Sequence, residues 1–311
     1  MKKLRFFGMA LLAVLMCANL VACGGDDVVE NQEPQKYTIS LACVGEILDV
    51  THEPLSRADR VNLYEISVYT EDGAKYAFGS FDAIDNLTID LLDGKTYSFK
   101  VSYTLNYPVA PTNKFNYSVS SDSNVLTPEY YRFFDVYYGA IDEYTPTLNG
   151  NVEIYMKRMS FGLKLVANDI ADGASIRTEL KRNSYDTTTE APETLTYSSP
   201  ECEKIYSFTS NTWDEVYQGI LVDGNYVNYY ETATLQIFLK RIDGIEVDLG
   251  KYDILVERNK KICVNINLGE SDSLISNGIT ITQEEEEMTD GKQYEVDGEE
   301  GTITEVTITT E

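Results

Sequence analysis

Tyr97-Ser98-Phe99-Lys100-Val101-Ser102-Tyr103-Thr104-Leu105-Asn106-Tyr107 alternates an apolar or aromatic residue with a polar one through six apolar positions without a break. Side chains of an extended chain point to opposite faces in turn, so this run predicts a strand with one face buried and one face wet. Shorter runs of the same period lie on both sides of it: Tyr37 to Cys43; Leu87, Ile89 and Leu91; Val152, Ile154 and Met156; Leu163, Leu165 and Ala167; Ala233, Leu235, Ile237 and Leu239; and Ile262 to Leu268.

Glycine-centred turn signals separate these runs at Glu71-Asp72-Gly73, Leu92-Asp93-Gly94-Lys95, Ala171-Asp172-Gly173 and Asp243-Gly244. Short strands spaced by such turns predict an all-β sandwich architecture. Helical signal is sparse. Pro128 to Asp135 fits a helical turn with proline at its start, and its aromatic crowding fits a loop beside a strand equally well. The phase of the alternation changes near Lys157-Arg158-Met159-Ser160. One sandwich is therefore expected over 36–158 and a second over 159–268, each large enough to bury a core. No repeat of about 20–50 residues is visible, which argues against solenoids and propellers.

Among 311 residues, 51 are acidic and 25 basic, so the formal net charge is −26, while 43% of the chain is hydrophobic. That acidity repels phosphate backbones and anionic headgroups, so neither nucleic acid nor a polybasic membrane-docking role is expected. The apolar fraction is too high for a chain disordered throughout.

The first residues read as a targeting signal. Lys2, Lys3 and Arg5 precede the apolar run Phe6 to Met16, which is short for a membrane span. The signal ends in Leu20-Val21-Ala22-Cys23-Gly24-Gly25, which resembles a bacterial lipoprotein lipobox. That likeness implies a signal peptide over 1–22 and fatty acylation, including palmitate, at Cys23. Each buried methylene contributes roughly 0.8 kcal/mol to anchoring, so two or three chains hold a protein stably. Asp26-Asp27 resembles the surface-export signal of Bacteroidia-type lipoproteins and implies the outer face of the outer membrane. Residues 23–35 then read as an acidic tether. Removal of 1–22 takes away three positive charges, moving the net charge from −26 to −29.

Three further cysteines remain, Cys43, Cys202 and Cys263. Their distant single positions fit neither a zinc site nor a cysteine framework. Cys43 shares an apolar face with Tyr37, Ile39 and Leu41, whereas Cys263 alternates out of phase with Ile262 and Val264. Unpaired thiols are expected, with Cys202 and Cys263 the one pair to consider.

Residues 269–311 form an acidic C-terminal tail with 13 acidic residues against Lys292 alone, including Glu284 to Glu287. Within it, 278–282 and 301–309 are rich in β-branched residues and read as strands. They serve either as donors to a partner's sheet or as a local hairpin closing over the second sandwich. Removing 270–311 is expected to leave both sandwiches folded and to weaken assembly.

No enzymatic activity is expected. His52 is the only histidine and lies in a polar loop-like segment, and no nucleophile elbow, phosphate loop or dinucleotide fingerprint is present. No metal site or cofactor is expected either, since the glutamate run lacks the spaced ligands of a calcium loop. Aromatic residues offer an alternative: Trp213, the only tryptophan, and Tyr229 among 23 tyrosines suit the stacking of sugar rings. That alternative is a surface glycan-binding lipoprotein of a polysaccharide-utilisation system.

Phe134-Asp135-Val136-Tyr137-Tyr138-Gly139, then Val152 to Arg158 running into Phe161-Gly162-Leu163-Lys164-Leu165, and finally Val256-Glu257-Arg258-Asn259-Lys260-Lys261-Ile262-Cys263-Val264-Asn265-Ile266 complete a pattern with the lipobox. It resembles the Bacteroidia-type fimbrillin-like family, which supplies stalk, tip and anchor subunits of lipoprotein-derived (type V) pili. The resemblance implies an all-β chain of two transthyretin-like, Greek-key sandwiches in tandem. It also implies a lipid-anchored subunit acting in fimbrium assembly and cell adhesion, joined to other pilus subunits by strand exchange, with a host or glycan ligand as a further partner. Stalk subunits of that family lose their first strand after an arginine, a role Arg57 and Arg60 match here; anchor subunits keep it.

Overall fold

The computed structural model describes residues 34–46, 61–108, 110–117, 134–167, 170–182, 193–198, 201–267, 280–288, 293–296 and 303–306. Cys23, His52, Arg57, Arg60 and residues 128–133 lie outside them. The described residues are mostly strand, as the alternation predicts, and the sheets pack in a sandwich-like manner.

Eight strands form the first sheet: β1 (Lys36–Gly45), β2 (Val61–Thr70), β3 (Lys75–Phe81), β4 (Thr88–Leu92), β5 (Tyr97–Tyr107), β6 (Lys114–Asn116), β7 (Val136–Tyr144) and β8 (Gly150–Arg158). Their order is β4-β1-β8-β7-β5-β2-β3-β6. β7 and β8 are paired only at Tyr137–Arg158 and Tyr138–Lys157, so two wings diverge from that corner. Ile39, Leu41, Ile89, Leu91, Val152, Ile154 and Met156 from one wing meet Ile66, Val68, Phe81, Phe99, Val101 and Tyr103 from the other in one buried cluster. The run that opens the sequence argument is β5: Tyr97, Phe99, Val101 and Tyr103 are buried in this cluster and Leu105 packs at its margin, whereas Tyr107 is buried in the second core.

β9 (Ser160–Val166), β10 (Ser175–Arg182), β11 (Glu193–Tyr197), β12 (Glu201–Ser207), β15 (Tyr230–Lys240), β16 (Glu246–Glu257), β17 (Lys260–Asn267) and β18 (Thr280–Glu287) make two further sheets, in the orders β11-β10-β15-β16 and β12-β9-β17-β18. Phe161, Leu163 and Leu165 of β9 and Ile262, Val264 and Ile266 of β17 bury against Ile176, Leu180, Leu235 and Ile237 of the facing sheet. A hairpin of β13 (Ile220–Val222) and β14 (Asn225–Val227) stands apart, as does the pair β19 (Gln293–Val296) and β20 (Ile303–Val306). Helix α1 (Trp213–Gln218) is the single α-helix among the described residues.

Gly73, Gly94, Gly173 and Gly244 all take a left-handed backbone in their turns, with φ of 79°, 65°, 82° and 81°; the turns at Gly73 and Gly244 close the β2–β3 and β15–β16 hairpins. At the first of them the Thr70 hydroxyl donates to Asp72 Oδ1 at 2.6 Å. This bond, with a second from the Ala74 N–H, holds the Asp72 carboxyl below the usual carboxylate range.

One expectation changes and another stands. Part of the acidic tail belongs to a sheet: β18 pairs antiparallel with β17 from Lys260↔Glu287 to Asn267↔Thr280, so a truncation at 270 strips an edge strand and does more than remove an appendage. Cys202 and Cys263 are not joined by a disulfide, and all three described cysteines keep their thiols. In register, Cys202 lies opposite Leu165, which lies opposite Val264. Cys263 is therefore two strands away and on the opposite face. Two strand spacings of about 4.8 Å exceed the Cα separation a disulfide spans.

Candidate functional site

β1 occupies the interior of its wing. It pairs antiparallel with β4 from Lys36↔Leu92 to Ser40↔Thr88, and parallel with β8 from Ile39↔Gly150 to Gly45↔Met156. Ile39 and Leu41 sink into the core, with Tyr37 and Cys43 packed at its margin. The strand ends at Gly45, where φ is 100°. A Cβ there would stand 2.8 Å from the Met156 carbonyl oxygen, so glycine is required to bring the chain round.

That turn delivers Glu46 to a cluster of arginines. Arg258 donates from Nη1 to Glu46 Oε2 at 2.7 Å and from Nη2 to Oε1 at 3.1 Å, a two-pronged pairing that fixes orientation as well as distance. The Arg158 N–H donates to the same Oε2 at 2.7 Å. Arg258 also reaches the Arg158 carbonyl at 3.0 Å and Asn228 Oδ1 at 2.9 Å. Arg258 stands in the turn between β16 and β17, where Asn259 takes a φ of 58°. One carboxylate at the end of β1 thus ties the first sheet to a turn of the sheets that follow it.

Beside it, Arg158 donates from Nε to Asp135 Oδ1 at 2.8 Å and from Nη2 to Asp135 Oδ2. Their side chains are only 4% and 9% exposed, so the pair sits in a medium where losing either member is costly. The Arg158 guanidinium also lies 5.7 Å from the Tyr137 ring centroid. β7 faces both ways here. Tyr137 enters the first core, while Val136 and Tyr138 enter the second.

Helix α1 completes the junction. Trp213 packs 5.6 Å from Tyr138, centroid to centroid, and Tyr217 meets Tyr138 edge-on at 5.9 Å. Asp214 accepts from Lys100 Nζ and from the Tyr138 hydroxyl. Partial burial pushes the Asp214 carboxyl up, but these two bonds outweigh it and hold the group below its ordinary value. Lys157 donates to the Tyr217 carbonyl at 2.6 Å and lies 4.6 Å over its ring. Burial first, and the Arg258 charge second, lower the Lys157 pKa.

The residues singled out for sugar stacking fare differently. Trp213 is 6% exposed, and its indole N–H donates to the Phe208 carbonyl at 2.7 Å. A ring used to seal a core cannot also stack on a ligand, so the glycan role assigned to Trp213 is corrected. Tyr229 is half-buried, edge-on to Phe208 at 5.2 Å, and burial lifts its hydroxyl to about 12. The residue that sequence reasoning missed is Glu46, while Asp135 and Arg158 stand in the sequence pattern with no role assigned to them. Arg258 was picked out only as part of a turn motif. A glycine closing an alternating strand just before a carboxylate was the one local signal for Glu46.

Cys43 reports on this site. Burial raises its thiol to about 12, and the thiolate is the reactive form. Alkylation of the folded chain with iodoacetamide at pH 8, read by peptide mass spectrometry, is expected to modify Cys43 at least roughly a hundredfold more slowly than in urea. Equal rates in both conditions would mean that β1 does not stay in the sheet.

No family model and no curated protein matches the sequence. Among solved structures, the tip fimbrial protein Mfa3 of Porphyromonas gingivalis, with C-terminal truncation, is similar at 12% identity and a TM-score of 0.43, covering 82% of this chain and 100% of that one. The fimbrial anchor protein Mfa2 of the same organism is similar at 9% identity and a TM-score of 0.40, covering 80% and 97%. Likeness at this level transfers no functional residue to this chain.

Proposed function

We propose that this chain is a lipid-anchored surface subunit of a fimbrial or adhesive assembly, made of two transthyretin-like sandwiches, one over 36–158 and one over 159–268 with β18 added at its edge, that associates with other subunits through β-strands. The observation that carries the reading is β1. A strand from the start of the described chain lies between β4 and β8, fills the core with Ile39 and Leu41 and closes on Arg258. Such a slot can be filled by a strand from the same molecule or from another, since backbone hydrogen bonds hold either and alternate side chains fill the same pockets. The lipobox ending at Cys23 and the likeness of 134–165 and 256–266 to fimbrillin-like chains support the same reading.

Lipidation at Cys23 places the chain on the membrane, and the acidic tether over 23–35 lifts the body from it. Cleavage after Arg57 or Arg60 would separate β1 from β2. The expected N-terminus on cells is an acylated Cys23, read by mass spectrometry of the surface fraction. Cys23→Ala is expected to shift the protein from the membrane to the soluble fraction almost completely. A variant that stays membrane-bound, or a mature start elsewhere without lipid, would refute the anchored reading.

A further inference from the structure

We propose that Glu46 is a latch that keeps the first strand in this molecule, and that any strand competing for the gap between β4 and β8 must end in glycine followed by a carboxylate. The inference rests on the strand-mediated association proposed above and states which side chain decides the outcome.

Backbone pairing in the gap is the same for any sequence, so it cannot discriminate between strands. The core positions filled by Ile39 and Leu41 demand only apolar bulk of suitable size. Selectivity has to come from groups that are costly when unmatched. The end of β1 supplies two. Gly45 turns with φ of 100° in a space where a Cβ would stand 2.8 Å from the Met156 carbonyl oxygen and 2.9 Å from the Tyr155 ring. Glu46 then meets Arg258, whose side chain is 5% exposed, while its own is 25% exposed. A strand lacking the carboxylate leaves the Arg258 guanidinium buried without its counter-charge, and leaves the Arg158 N–H without the oxygen it now donates to at 2.7 Å. The latch also spans the junction, because Arg258 belongs to the turn between β16 and β17. Departure of β1 therefore releases a tie between the sheets in addition to opening the gap. A chain with this latch closes its own slot to any neighbouring strand that lacks the glycine and the carboxylate.

The test uses the full chain with a specific protease site inserted between residues 47 and 60, cut while folded. The fragment carrying β1 is expected to stay with the body through size-exclusion chromatography, with Cys43 still protected from alkylation. The Glu46→Gln version, cut in the same way, is expected to release the fragment roughly thirtyfold faster or more, because truncating one member of a buried charge pair acts mainly on dissociation. Should that variant not fold, synthetic peptides answer the question with wild-type protein. The nicked complex, with its own fragment in place, is offered labelled residues 34–46 with either Glu or Gln at the last position, in competition with that fragment. The Glu peptide is expected to bind at least roughly thirtyfold more tightly. Loss of the wild-type fragment on cutting, equal release rates or equal peptide affinities would each overturn the latch. Failure of the assembly reading looks different: the surface protein never co-purifies with other subunits, whatever the fragment does.

Discussion

Phe161→Ala is expected to lower the unfolding free energy by about 4 kcal/mol, within the range for deleting a fully buried aromatic ring. Phe161 has no exposed surface. It stacks on Tyr206 at 5.6 Å with 21° between the planes, and meets Phe208 at 5.4 Å. Its ring also lies 5.6 Å from the guanidinium of Arg182, which is itself 1% exposed and donates to the Ser207 carbonyl at 2.8 Å. Losing the ring removes dispersion contacts and the π face against which a buried cation rests, so the cost lies above that of an aliphatic truncation. Urea titration should show a lower midpoint with an unchanged slope. A loss of under about 1 kcal/mol would mean the second core collapses around the gap and is far more plastic than its packing implies.

Arg158→Ala is the second large effect, expected to cost about 3–5 kcal/mol. The change strands Asp135, 9% exposed, where its two bonds to the guanidinium had compensated its burial. The origin of the cost is testable by a double-mutant cycle. Arg158→Met with Asp135→Leu removes both charges and supplies apolar volume, and it is expected to recover most of the stability lost in either single variant. If the double variant is as unstable as the sum of the singles, the pair is not the source. The defect would then lie in the backbone groups of Arg158, which hold the end of β1.

Much of the strand inventory was legible because burial imposes a strict period of two. β5 shows where that stops. Lys100 keeps to the polar side as expected, yet Thr104 is wholly buried. A polar residue in an alternating strand normally faces water, but here the neighbouring Leu63, Tyr107 and Val136 turn toward the second core. The alternation marks Tyr97 to Tyr103 as one face, and shows neither that both faces are covered nor that a register shift opposite Val61 and Leu63 sends Tyr107 to the other core. Trp213 failed for a related reason. A lone indole reads as a sugar platform until the Phe208 carbonyl that satisfies its N–H is known, and that partner comes from how the 3-10 turn at Ser210–Thr212 leads into α1.

The candidate site was less legible, because its information is held in pairs far apart in the chain. Glu46 and Arg258 are 212 positions apart, and a carboxylate in a chain of net charge −26 draws no notice by itself. β18 is the same problem in another form. Four consecutive glutamates repel one another and argue against regular structure. Their backbone nonetheless runs antiparallel to β17, from Lys260↔Glu287 to Asn267↔Thr280, so the open edge of that sheet supplies the partner. The reason for the strand is written in β17, outside the segment itself.

β8 and β9 are separated by Met159 alone, a residue with no exposed surface. Its N–H donates to the Val136 carbonyl at 2.6 Å, and its own carbonyl accepts from the Phe208 N–H at 2.8 Å. One peptide stitch thus belongs to both halves, and residues 150–166 run as a nearly unbroken extended cable, about 56 Å at 3.3 Å per residue. On a molecule tethered at one end and pulled at the other, tension crosses from one half to the other along stiff covalent chain, with no slack linker to pay out. A pull on one half is thus passed to the other without chain being paid out at the joint, the mechanical behaviour of a rivet.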